Sequence, residues 1–188
     1  MDALLFAFVA AALAGIGDQT QVVAATLSAR TGKPGRVLAG LAVAAAAMAC
    51  VGFFAGSLIH EMISVRAQAQ LVALALAFGG IVGLMKPTAP RLAERFRRNA
   101  FIAALLFGGY AASSGRIEFM TLAFVARAEL PLLAAVGGGL GLLAAVTPAA
   151  LLGEAFLKLE LRWLRIGIAI VFLIAAALVY LNAPPATA

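Results

Sequence analysis

Few residues in this chain can do chemistry, and they gather in two short segments. The first is Gly15-Ile16-Gly17-Asp18-Gln19-Thr20-Gln21, and the second is Ala112-Ser113-Ser114-Gly115-Arg116-Ile117-Glu118. Each interrupts a long apolar run near its middle. Asp18 falls close to the centre of the run Ala3–Ala29, and Arg116 and Glu118 fall inside Ala100–Ala126. A charge at the centre of a membrane span costs about 2.5–3.5 kcal/mol on insertion scales, so such residues face a polar cavity or a partner and mark an ion or proton path. The glycines beside Asp18 could let the helix unwind and present bare carbonyls, as in the broken helices of transporters. Gln19, Thr20 and Gln21 add oxygen ligands suited to a hard cation. A plainer alternative is an ion pair, Asp18 with Arg116 or Arg116 with Glu118, that only locks the structure together.

These segments have to be held by membrane spans. Of 188 residues, 64% are hydrophobic and 12% charged, with a mean hydropathy of +1.07. A soluble domain runs at about 45–50% apolar and about 25% charged. Too little polar surface remains to cover a soluble globule, and too much apolar surface is present for disorder. Six apolar stretches can be marked: Ala3–Ala29, Val37–Ile59, Ala67–Met85, Ala100–Ala126, Leu132–Phe156 and Ile166–Leu181. They are too long and continuous for barrel strands, and bare backbone cannot cross lipid, so an all-α polytopic membrane protein of six transmembrane helices follows. Trp163 and Tyr180 flank the last stretch as interfacial aromatics do. The lone cysteine, Cys50, reads as a small buried hydrophobe. No basic segment precedes the first stretch, so it reads as a retained span rather than a cleaved signal.

Charge placement sets orientation. The loop after the first stretch carries Arg30, Lys33 and Arg36; the central one carries Lys86, Arg91, Arg95, Arg97 and Arg98; the fifth carries Lys158, Arg162 and Arg165. The opposite side holds only Arg66 and Arg127. By the positive-inside bias, the odd loops are cytoplasmic and both termini lie outside, periplasmic for a bacterial-type inner membrane. The net charge of +6 is then a topology signal and not a sign of nucleic-acid binding. The basic linker 87–99 could also meet acidic lipid or a partner. His60 and Glu61 at an outer end read as a solvated pair, with no second histidine to complete a zinc site.

The chain also resembles itself. Shifted by 97 residues, Arg30 meets Arg127, Pro34 meets Pro131, Gly40 meets Gly137 and Gly56 meets Gly153. The same shift carries Asp18 onto Gly115, Gln19 onto Arg116 and Gln21 onto Glu118. Residues 1–86 and 100–188 then form two three-helix repeats. Three is odd, so the second enters from the opposite side: an inverted repeat, with a site expected at the midplane where the halves meet. Chance similarity between Gly/Ala-rich hairpins is the competing account. Gly137, Gly141 and the run Ala44–Ala47 would let helices approach closely, a packing signal of any helical bundle.

At the Asp18 segment the chain resembles the Gdt family of cation/proton exchangers, the Golgi calcium/manganese exchangers and their small bacterial relatives. Members have six spans in two inverted halves, each opening with a Glu-x-Gly-Asp-(Lys/Arg)-(Ser/Thr) motif. Gly17, Asp18 and Thr20 match it, with Gln21 following as it often does. Gly15 stands where the family has Glu, and Gln19 where it has a basic residue. In the second half Ala112 replaces Glu and Gly115 replaces Asp; Arg116 fits the basic position, and Glu118 is an added acid. One of four motif carboxylates is therefore kept. Two acids beside one arginine leave a net charge near −1, which suits a proton, a monovalent cation or a weakly held divalent one.

The resemblance implies a secondary transporter exchanging Mn2+ or Ca2+ for protons, with no resident cofactor. Asp18, Thr20, Gln21 and Glu118 would be the metal ligands. Asp18, Arg116 and Glu118 would handle protons and counter-charge, and Gly15, Gly17 and Gly115 would break the helices. Its partners would be the cation, the proton and the bilayer, with homo- or hetero-oligomers allowed. The lost acids keep two alternatives open: a subunit that does not transport or needs a partner, and export of a small organic solute. No nucleotide-binding fingerprint or nucleophile–base pair suggests an enzyme.

Overall fold

The computed structural model describes residues 2–86, 99–113 and 115–184. Within these the chain is helical, with no strand. Helix α1 (Asp2–Gly15) and α2 (Gln19–Thr31) meet at a 63° bend. Long helices α3 (Pro34–Met62) and α4 (Val65–Leu84) follow. After the gap come α5 (Ala100–Ala103), a π-helical stretch (Ala104–Gly108) and α6 (Gly109–Ser113), which run together as one rod. That rod meets α7 (Arg116–Arg127) at another 63° bend. The chain ends with α8 (Pro131–Leu152), a single turn α9 (Glu154–Leu157) and α10 (Arg162–Leu181). Four helices are long and apolar enough to cross a membrane unbroken, and the two bent pairs raise the number of spans to as many as six. Arg91, Arg95, Arg97 and Arg98 of the basic linker, and Ser114 of the second segment, lie outside the described residues.

Local sequence sets these ends. Pro34 and Pro131 open α3 and α8, where a missing N–H costs nothing. Gly32 closes α2 in the left-handed region at φ 62°, its N–H bonding Ser28 O at 2.9 Å. Several starts recur at one spacing: Gln19 and Arg116, Pro34 and Pro131, Val65 and Arg162 are each 97 residues apart, and so are the ends Leu84 and Leu181.

Helices approach through small residues, because lipid offers no hydrophobic drive to bring them together. α1 lies along α8, where Gly137 and Gly141 face the backbone carbonyls of Leu4 and Phe8. α4 lies along α10, with Gly80 against Leu173 and Gly83 against Ala169. Gly56 of α3 receives Val125 of α7. A side chain at Gly141 would run into Phe8 O and Ala11, and overpacking of a filled interface costs about 1–3 kcal/mol. Gly141→Leu should therefore lower the thermal unfolding midpoint of the detergent-solubilised chain, whereas Gly167→Ala, with open space around it, should leave it unchanged.

Large apolar side chains such as Phe54, Leu58, Leu74, Ile81 and Ile174 point outward, as a lipid-facing surface requires. Cys50 is among the outward residues, which corrects its reading as buried. The inner face of α3 is drawn by Gly40, Leu41, Ala44, Ala45, Gly52 and Gly56, and Cys50 lies off that stripe. Burial statistics for cysteine come from proteins in water; against lipid a thiol gains nothing by turning inward. His60 also differs from expectation. Its Nδ1 is 2.9 Å from Ala126 O, and Gln68 Nε2 donates to His60 O at 3.1 Å, so it ties α3 to the end of α7 and is not simply solvated.

Candidate cation site at the two broken helices

The bend between α1 and α2 is a capping event in the middle of the first apolar stretch. Gly17 takes φ 67°, a conformation that L side chains rarely adopt, and stops α1. Asp18 follows in extended backbone (φ −81°, ψ 164°) and caps α2. Its Oδ2 accepts from the Thr20 N–H at 3.1 Å and from the Thr20 hydroxyl at 2.8 Å. In an unbroken helix the Thr20 N–H would bond Ile16 O. Here that carbonyl is released. The Gln21 side chain repairs the rest of the break: its Oε1 accepts from Gly17 N–H at 2.8 Å and its amide donates to Ala145 O of α8 at 2.6 Å. Gly17→Ala should therefore cost about 1–2 kcal/mol of stability, and more if Arg165, whose Cδ would lie 3.1 Å from the added Cβ, cannot move. A thermal melt of the purified variant checks this.

The released carbonyl has a taker. Arg116, the first residue of α7, is 2% exposed and reaches back across the bundle. Its Nη2 donates to Ile16 O at 3.0 Å and its Nη1 to Gly79 O of α4 at 3.3 Å. Its Nε lies 3.7 Å from Asp18 Oδ1, an ion pair longer than a hydrogen bond. Gly79 and Gly83 admit the guanidinium, since a side chain at either would strike Met120 or Arg116. Gly115 caps α7 without a side-chain bond, and a Cβ there would sit 3.9 Å from Asp18 Oδ2. The amino-terminal ends of α2 and α7 thus both lie by the Asp18 carboxylate, which is 8% exposed. Helix starts carry partial positive charge and favour an anion there.

The structure brings Asp18, Thr20 and Arg116 together, with Gln21 beside them as a bracing residue and not an open ligand. Gly17 makes the break. Gly15 ends α1 and lets Ala145 of α8 press against it, and Gly115 is extended at φ −96°, where its lack of a side chain makes room and supplies no special conformation. Glu118 stands apart. It borders a groove of about 430 Å³ lined by Phe78, Ser113, Gly115, Phe119 and Leu122, beside Gly52 of α3, and its Oε1 has no hydrogen-bond partner among the described residues. No group of three or more His, Cys, Asp or Glu side chains placed to hold a metal occurs among the described residues. Sequence reasoning misses two participants. Arg165 reads as a loop charge but lies over Gly17, and the Gly79-Gly80 pair beside Arg116 carries one signal, a glycine cluster in the third stretch.

Residues 3–91 match the family model of the divalent cation/proton antiporter GDT1. In its first half the chain is similar to that family. The matched stretch contains the whole Asp18 cap, α3 and α4 with Gly79, and it ends before Arg116 and Glu118. The long apolar helices agree with an integral membrane protein, as an antiporter family of this kind would require. No curated protein and no solved structure matches the chain.

Proposed function

We propose that the chain is a secondary transporter that exchanges a divalent cation, Mn2+ or Ca2+, for protons across a bacterial-type inner membrane, with Asp18 as the principal ion and proton site. The observation that carries this reading is the meeting of two broken helix pairs at a buried carboxylate. A bent pair presents free backbone groups at mid-depth, where a transporter needs a polar site in an apolar slab. The recurrence of helix starts and of the 63° bend at one spacing supports two three-helix repeats of inverted topology, with both termini outside. Thr20 would hold and orient the carboxylate, and Glu118, on the repeat-related helix, would supply a second protonatable group. The reading is tested by ion flux in proteoliposomes holding the purified chain. An imposed pH gradient should drive Mn2+ or Ca2+ uptake, and collapse of the gradient should stop it; uptake equal to that of empty liposomes sinks the proposal.

A second reading, a subunit whose cation site is completed by another chain, is favoured by one observation: no cluster of three potential ligands occurs among the described residues. Flux that appears only after co-reconstitution with a co-purified membrane protein would select it.

A further inference from the structure

We infer that the guanidinium of Arg116 is a built-in cation seated in a binding site whose oxygens are the Asp18 carboxylate and the backbone carbonyls of Ile16 and Gly79, and that a transported cation has to displace it. Three features of the geometry lead there. First, each described hydrogen bond and ion pair of the guanidinium is with an oxygen of a kind that binds hard cations: a carboxylate and two carbonyls. Second, one of those carbonyls, Ile16 O, is free only because the helix is broken and the Thr20 N–H is diverted to Asp18. A break that exposes a carbonyl costs stability unless a hydrogen-bond donor or a cation uses it, and here the user is a cation. Third, the oxygens come from three separate elements, namely the end of α1, the cap of α2 and the middle of α4, whereas the cation comes from a fourth, α7. A site assembled this way keeps its oxygens when the arginine leaves.

The alternative is a lock in which Arg116 only ties the elements together. The two differ in what removing the charge does. A lock that is removed loosens the oxygens, and cation binding weakens. A tethered competitor that is removed empties the site, and cation binding strengthens. Its presence lowers apparent affinity by the fraction of time the site is unoccupied by the tether. Arginine suits the competitor role because its planar fork serves several acceptors at once, while its charge is permanent.

This inference rests on the reading of Asp18 as a cation site, and the test separates the two. Mn2+ binding to the full purified chain in detergent is measured by calorimetry for the parent and Arg116→Gln, in parallel with flux. Arg116→Gln is expected to bind Mn2+ about tenfold tighter. Millimolar guanidinium chloride, far below denaturing levels, should compete with Mn2+ in the variant and not in the parent; tetramethylammonium chloride, too bulky for the seat, should compete in neither. Equal or weaker binding by the variant, or no greater effect of guanidinium than of tetramethylammonium, overturns the inference. Should Arg116→Gln not elute as a single species, Arg116→Lys answers instead. Its single ammonium cannot bridge all three acceptors, so binding several-fold tighter than the parent is expected, and unchanged binding overturns the inference. Failure of every chain to bind Mn2+ overturns it as well. Binding with the expected competition but no flux in the parent overturns only the antiport reading.

Discussion

Asp18→Asn is expected to reduce pH-driven Mn2+ or Ca2+ flux to the level of empty liposomes while the chain still folds. The substitution is the mildest that removes the charge. Asparagine caps helices about as well as aspartate, so its oxygen can still accept from the Thr20 N–H and hydroxyl and keep the bend in place. What it cannot do is offer a negative charge to a cation, or gain and lose a proton. The bundle should also lose stability, because Arg116 would be left with two carbonyls and no anion. Removing one partner of a buried pair costs about 3–5 kcal/mol, and the remaining carbonyl bonds place the loss at the lower end. Asp18→Ala loses the cap as well, about 1 kcal/mol more. Flux assays on the parent, Asp18→Asn and Asp18→Ala, each beside a thermal melt, separate the two effects. Transport at the parent rate by the Asp18→Asn variant would remove Asp18 from the mechanism. Glu154→Gln, which breaks only an exposed pair with Lys158 at 3.2 Å, should change neither measurement.

The elements that sequence reveals well here are those whose signal is local. A run of about twenty apolar residues closed by proline, glycine or charge declares a helix, and α3, α4, α8 and α10 sit where the hydropathy places them. Asp18 stands out because a charge in such a run has few harmless explanations. What periodicity does not supply is which backbone atoms are left over. The freed carbonyl of Ile16 exists only because Asp18 takes the Thr20 N–H, a competition of side chain against backbone. Gln21, a candidate ligand by residue type, is drawn into repairing the same break because its two ends match a free N–H at Gly17 and a free carbonyl at Ala145, 124 residues away. Arg165 is invisible as a site neighbour because a loop charge and a charge lying over a bend look alike in sequence. Glu118 and Asp18 are two charges beside the two helix bends, but helical rotation decides where each points, and α7 turns Glu118 toward α3 and its groove.

The second large effect is expected at Arg116, and its size depends on what happens to Asp18. Arg116→Gln alone should destabilise the chain by about 3–5 kcal/mol, because it leaves the Asp18 carboxylate buried without a positive charge and the Ile16 and Gly79 carbonyls short of a full fork of donors. Glutamine's amide can still donate to one of them, which keeps the variant foldable. The double variant Asp18→Asn with Arg116→Gln should then be more stable than the sum of the two single losses predicts, by about 0.5–3 kcal/mol. Removing both charges takes away the desolvation cost that each single variant leaves exposed. Thermal or chemical unfolding of the four chains in one detergent measures that coupling. The 3.7 Å separation of Nε and Oδ1 argues for a value in the lower half of the range, since the pair is held by proximity and not by a direct hydrogen bond. Strict additivity would mean that the two charges do not sense one another, and the carbonyls of Ile16 and Gly79 would then be the whole seat of Arg116. A coupling of the expected sign means instead that the carboxylate holds the arginine at the break, which is the condition for a transported cation to compete for the same place.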